Sequence, residues 1–462
     1  MEFTKKKEFF WNQIPLLIII VISNVIYLFS FYPGVLSSDS LSQWHQFSQL
    51  EITNWHPAYH TILMWLLTRL WYSPAGIAIF QIICFDIALI YASISFNKVK
   101  IPKLITYLVI ILSSFNLING LMVLTIWKDV LYSICILALT IIIFNLIQTD
   151  GEWINNKNNS IILGFILANI FLLRHNGFPV SLISFFVLFL VFKSYRKPFL
   201  FSGFVLLMYI LFINVIIYNL FNVDEENTQS FAVAFIHPIA AHVNQGTNFT
   251  IEESDFLNKI FPLENSWPYS CYDATVLFYK GVNFAPVTEN PIVTAKIFFK
   301  YTYLNPSVTI NHFICLSSFT WQILQPENVY LETVLFDSIN PNDYAQWKNY
   351  SKVTKSQPIF QKLNEKISDF GTFLQRVDKY KILWRPAIYL HVFLVAVLLI
   401  SSKKKKYFLL SIPVISQTII IMGTAQLQAL RYQFPILLVS MIFTLPLFYM
   451  FTKFSDSSGD FQ

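Results

Sequence analysis

Apolar runs of bilayer length, separated by few polar residues, constrain this chain more than any other feature. They cover 11–31, 75–96, 104–123, 128–148, 160–174, 178–192, 199–220, 384–402, 407–422 and 434–451. A helix needs about 20 predominantly apolar residues to cross the hydrocarbon core. Several runs are shorter, and tilting, a break or merging at their ends would accommodate them. The expectation is an all-α polytopic membrane protein with about ten transmembrane helices. Length alone, 462 residues, would allow two or three soluble domains. Composition overrides that prior: 13% of residues are charged, roughly half the share in soluble globular chains. The run that follows Lys5–Lys7 is expected to be kept as a first helix, because Pro33-Gly34-Val35 is a poor cleavage site.

Orientation follows from the basic residues. Lys5–Lys7, Lys98/Lys100/Lys103, Lys193/Arg196/Lys197, Lys403–Lys406 and Lys453 share one side if every run crosses. Positive residues favour the cytoplasmic side, so both termini are expected there. The segments 32–74, 124–127, 221–383 and 423–433, and the apex at Arg174, then face outward. The net charge of +6 sits in these flanking clusters, with no basic stripe for nucleic acid. The expected organisation is a membrane module over 1–220, an extracytoplasmic domain of mixed structure over 221–383, and a three-span segment with a cytoplasmic tail over 384–462. Cys271 and Cys315 fall in the polar stretch, where they are either bridged or two free thiols.

Residues able to do chemistry gather in the outward segments. In the first, Ser37-Ser38-Asp39-Ser40 precedes a short helix ending near Leu50. Two roles are open to Asp39: a helix cap, or a carboxylate acting as general base. Trp44 and Trp55 are aromatic groups of the same loop. His56 and His60 flank Pro57 and, four apart, would share one helix face leading into the apolar stretch 61–72, read as interfacial. A divalent metal there is imaginable, yet no third ligand can be named. Lys128 and Asp129 start the fourth run. Arg174, His175 and Asn176 form an apex, and Gln428, Arg431 and Tyr432 lie in the last outer turn. Lys128, Arg174 and Arg431 stand where positive-inside bias predicts few cations, which calls for an anion such as phosphate. Asp86, alone in mid-run, is expected to be protonated or paired with a neighbouring helix.

With its outer-loop acid Asp39, the His56-Pro57 element, a large outer segment after the seventh run and the late Arg431-Tyr432, the chain resembles the GT-C superfamily of membrane glycosyltransferases. The likeness is to bacterial relatives of the protein O-mannosyltransferases. Many members carry paired acids in the first loop, whereas here Asp39 stands between Ser38 and Ser40. The resemblance implies a polyprenyl-phosphate-linked sugar as donor, transfer on the outer face of the cell membrane, and a cell-envelope glycan, lipid or protein as acceptor. It implies Asp39 as base, Asp129 and His56 in support, and Lys128, Arg174 and Arg431 on phosphate. A glycan polymerase or ligase would share this layout. A lipid or glycan transporter would instead line a mid-membrane path and carry inverted repeats, and no internal repeat is present.

Overall fold

The computed structural model describes residues 13–224, 228–327 and 329–456. Lys5–Lys7, the first two residues of the 11–31 run and the end of the C-terminal tail lie outside the described residues.

All regular elements among the described residues are helical, apart from isolated bridges. Those used below are α1 (Ile14–Ser30), α2 (Ser38–Gln49), α3 (Ala58–Leu70), α4 (Pro74–Lys98), α5 (Lys103–Phe115), α6 (Leu117–Leu124) and α7 (Lys128–Gln148). There follow α8 (Lys157–Leu173), α9 (Gly177–Val191), α10 (Lys193–Leu220) and α11 (Thr228–Asn244). The remainder are α12 (Ile251–Ile260), α13 (Pro291–Leu304), α14 (Pro306–Leu316), α15 (Gln361–Arg376), α16 (Pro386–Lys403), α17 (Lys405–Thr424) and α18 (Leu430–Ser455).

Among the described residues, six helices are long and apolar enough to cross a bilayer: α4, α7, α10, α16, α17 and α18. The run 104–123 is not one rod. It breaks into α5 and α6 with a 56° bend, because Asn116 leaves the helical conformation and its side chain caps the next helix through Asn119 N–H. Taken as one broken span, the pair makes seven. The runs at α1, α8 and α9 form apolar helices of 15 to 17 residues, shorter than a perpendicular crossing requires. The chain is an all-α membrane protein.

Burial sorts these helices. α7 is enclosed almost all round, its Leu, Ile and Phe side chains forming the centre of the main core. α10 instead exposes Leu200, Phe204, Leu207, Leu211, Phe212 and Val215. A run of exposed apolar side chains at helical spacing suits lipid, not water. Asp86, on α4, is paired: Asn24 Nδ2 of α1 donates to both carboxylate oxygens at 2.8 and 2.9 Å.

The polar stretch 221–383 contains no strand among its described residues. The described residues there form short helices and irregular segments, several opened by Pro at the first turn, as at Pro291 and Pro306. They also do not share one core. Residues 232–301 build a separate cluster around Leu257, Trp267, Leu277 and Tyr301. Leu316, Phe319, Leu331, Trp347, Tyr350 and Trp384 instead join the core of the bundle. The 359–382 segment contains α15 and is tied to the end of α1. Ile359 N–H donates to Phe29 O at 2.8 Å, and Phe360 packs edge-on against the Phe29 ring.

Candidate active site

The ends of several helices meet around one cavity of about 1450 Å³. How the chain delivers each side chain to it can be followed locally. Ser37, not Asp39, caps α2: its hydroxyl accepts from Ser40 N–H, and Ser40 returns the bond to Ser37 N–H. Trp127 Nε1–H donates to Ser37 Oγ at 2.6 Å, and Ser40 Oγ–H to Ile126 O at 2.8 Å. The α2 start is thereby locked to the segment before Lys128, and an isolated bridge between Val35 and Thr125 reinforces the junction. Asp39 is left in the first turn, free of capping duty and favoured there by the helix dipole.

Asp39 Oδ2 accepts from Arg431 Nη1 at 2.7 Å. Its Oδ1 lies 3.9 Å from His56 Nε2, and Lys128 Nζ reaches His56 Nδ1 at 3.1 Å. Burial alone would raise the Asp39 carboxyl, but the charges of Arg431 and Lys128 hold it well below the usual carboxylate range. His56 is pushed down to about 3, first by burial and then by Lys128, so it is a neutral bridge between the lysine and the carboxylate. Its neutrality leaves Nδ1 to accept from Lys128 and puts the proton on Nε2, facing Asp39.

A second pair lies beside the first. Arg174 Nη1 sits 2.5 Å from Asp129 Oδ1, with both side chains buried. Arg174 Nε donates to Asn176 Oδ1 at 3.0 Å, and its guanidinium lies over the rings of Tyr132 and Tyr432. Arg431 packs over Trp127 and Tyr432. Tyr432 thus serves as a shared face for two arginines, a use for which its π-system is suited. The tight α8–α9 turn depends on Gly177. A Cβ there would lie 2.0 Å from Ile170 O and 2.9 Å from the Tyr132 ring.

Of the residues expected at a site, Asp39, Trp55, His56, Lys128, Asp129, Arg174, His175, Asn176, Gln428, Arg431 and Tyr432 line this cavity. His175 is held by its Nε2–H, which donates to Asn54 O at 3.0 Å. Gln428 is on the wall but engaged elsewhere: its amide donates to Ser318 Oγ at 2.7 Å and its oxygen accepts from the buried Arg385. It braces the turn and has no free amide to offer. Two expected residues are not brought to the cavity. Trp44 is fully buried against Phe47 and Tyr72, and His60 is buried with Nδ1 on Gln43 Oε1 at 3.1 Å. Nor do His56 and His60 share a helix face. α3 begins only at Ala58, with Pro57 at its cap, so His56 belongs to the preceding loop.

Glu332 is the residue that sequence reasoning missed. Its Oε2 lies 3.3 Å from Arg431 Nε, a different nitrogen from the Nη1 that Asp39 holds. Backbone pairing sets it there: Glu332 N–H donates to Gln428 O at 2.9 Å, and Leu430 N–H to Glu332 O at 2.8 Å. Burial raises the Glu332 carboxyl and Arg431 only partly offsets it. Two acids therefore flank one arginine with their affinities for protons pushed apart, a pattern that separates acid and base roles. Among the described residues, no group of three or more His, Cys, Asp or Glu is placed to hold a metal ion.

No family model, no curated protein and no solved structure matches the chain. Fold and cavity define a class by themselves: an all-α membrane protein with buried charge gathered at one set of helix ends.

Proposed function

We propose that this protein is a membrane glycosyltransferase that moves a sugar from a polyprenyl-phosphate-linked donor to an acceptor on the non-cytoplasmic face. The observation that carries the reading is the convergence of Lys128, Arg174 and Arg431 with Asp39 on one cavity. The lysine clusters among the described residues lie at the opposite ends of the same helices. α9 enters from the cavity and ends before Lys193; α18 begins beside Arg431 and runs to Lys453; α17 begins at Lys405 and ends at Thr424 on the cavity wall. Lys406 pairs with Asp150, just beyond the far end of α7. Counting the broken α5–α6 pair and the short helices α1, α8 and α9 as crossings gives ten spans, with the clusters cytoplasmic and the cavity outside. The Cys271–Cys315 disulfide supports the same side, since such bridges persist in oxidising compartments. Asp86, tied to Asn24, does not line this cavity.

The chemistry balances on these residues. The acceptor hydroxyl oxygen bonds to the anomeric carbon as the bond from that carbon to the phosphate oxygen breaks. The hydroxyl proton passes to Asp39, and the departing polyprenyl phosphate gains a negative charge that the three cations stabilise. The cations that depress Asp39 are those a phosphate would engage. Donor binding would then draw Arg431 and Lys128 toward phosphate and raise the basicity of Asp39 when the acceptor needs it.

The test is direct. Purified protein supplied with radiolabelled polyprenyl-phosphate sugars releases polyprenyl phosphate from at least one of them. No release from any such donor removes the reading. A second expectation concerns pH. Since kcat/KM reports the free enzyme, its acid limb does not belong to Asp39, which is ionised throughout. Glu332, with its raised affinity, takes up a proton first as pH falls and lets go of Arg431. Activity should therefore decline on the acid side, and Glu332→Gln should flatten that limb while lowering the plateau. An unchanged profile in the variant removes Glu332 from this role.

A further inference from the structure

Another part of the cavity wall carries different chemistry. It comes from α11, the 270–279 segment, α14 and residues 329–330. His237 and His312 are nearly sealed, each 2% exposed, and pack edge to face with ring centroids 4.5 Å apart. His237 Nε2–H donates to Ser270 O at 2.8 Å, which leaves Nδ1 as a lone-pair acceptor. His312 Nδ1 meets the Tyr269 hydroxyl at 3.1 Å, which leaves Nε2 without a partner among the described residues. Burial first, then their mutual repulsion in the case of His312, pushes these imidazoles down to about 4 and about 3. Both are neutral at physiological pH, so this wall does not repeat the anion site. Asp273, the one acid on it, is committed to Thr275, whose N–H and hydroxyl both donate to Oδ1. Tyr279 and Tyr330 also line the cavity, yet are 84% and 80% exposed.

We propose that His237, His312, Tyr279 and Tyr330 form an acceptor subsite for an uncharged, hydroxyl-rich glycan. This rests on the glycosyltransferase reading for the word acceptor, though not for the binding itself. Neutral imidazole nitrogens that can accept or donate match sugar hydroxyls, which do both. Exposed tyrosine faces give a pyranose ring an apolar surface to lie on, with a polar tip at the edge. A few fixed polar groups among aromatic walls is the general form of a small-molecule pocket.

The wall is also fixed in place relative to Asp39. The Cys271–Cys315 disulfide ties the segment carrying Ser270 and Tyr272 to α14 three residues after His312. Ala274 N–H donates to Gln426 O at 2.7 Å, which joins the same segment to the turn leading into Arg431. Such anchoring at both ends preorganises the two walls around one space.

The experiment uses the full chain in lipid nanodiscs and saturation-transfer NMR. The probes are neutral trisaccharides of glucose, galactose and N-acetylglucosamine, with a uronate trisaccharide as the charged comparison. Binding of at least one neutral trisaccharide is expected, together with weaker binding of the uronate. His312→Phe, which keeps the ring and loses Nε2, and Tyr279→Ala should each weaken the neutral sugar at least tenfold. Decaprenyl phosphate binding, followed by native mass spectrometry, serves as the fold control for both variants. Absence of neutral-sugar binding, or indifference to His312→Phe, overturns the subsite while leaving the donor reading intact. Neutral-sugar binding with no decaprenyl phosphate binding to the wild type keeps the subsite and sinks the donor reading.

Discussion

Asp39→Asn lowers the rate of sugar transfer by about 10²- to 10⁴-fold, the span of a lost general base, without weakening donor binding. The second half of that expectation is the discriminating one. In the resting protein Asp39 competes for Arg431 at 2.7 Å, and asparagine cannot hold a guanidinium with comparable strength. The variant should therefore free Arg431 for phosphate, so that KM for the donor stays level or falls. A purely structural Asp39 would behave differently: the α2 start would loosen, KM would rise and protein yield would fall. That start, however, is secured by Ser37, Ser40 and Trp127, none of which the substitution touches. Asp39→Glu supplies the comparison, with partial activity expected from a displaced but chemically competent carboxylate. Wild-type turnover by Asp39→Asn would end the base assignment.

How much of this was legible in the chain depends on the range of the interaction. Hydropathy is local, and it marked the apolar helices; six of them, or seven with the broken pair, are long enough to cross among the described residues. The pattern of basic residues, also local, set Lys128, Arg174 and Arg431 apart from the lysine clusters, and the structure gathers these three on one cavity. Glu332 was not legible. It lies 293 positions after Asp39 in an irregular segment of 221–383, and only backbone pairing with Gln428 and Leu430 brings it to Arg431. Trp44 failed in the opposite direction: an aromatic in a promising loop turned inward, since helix α2 is amphipathic and the bundle offered it a place beside Phe47. The His56–His60 reading failed on one cap. Starting the helix at Ala58 rather than before Pro57 left His56 in a loop, where it reaches Lys128. Division of the long polar stretch between two cores was equally hidden, because Trp267 and Trp347 look alike in sequence and pack into different clusters.

The largest effect on stability is expected from Arg174→Met. Asp129 is buried at the start of α7, and its partner lies 2.5 Å away. Removing one member of a buried pair costs about 3–5 kcal/mol, mostly for the charge left behind. Two features favour the lower end of that range here. The N-terminus of α7 carries a partial positive charge, and Lys128 stands beside Asp129 there. Arg174 also gives up its packing over Tyr132 and Tyr432, which works the other way. Thermal unfolding in detergent should show the single variant clearly destabilised. The double variant Asp129→Asn with Arg174→Met should recover most of the loss, because no isolated charge remains. If both melt together, the pair is not what holds α7 to the α8–α9 turn. The recovered double variant then separates stability from function. It retains Asp39, Lys128 and Arg431 but lacks one of three cations on the leaving phosphate. Its transfer rate should stay about 10²-fold low although the fold is restored, which no structural role for Arg174 alone would produce.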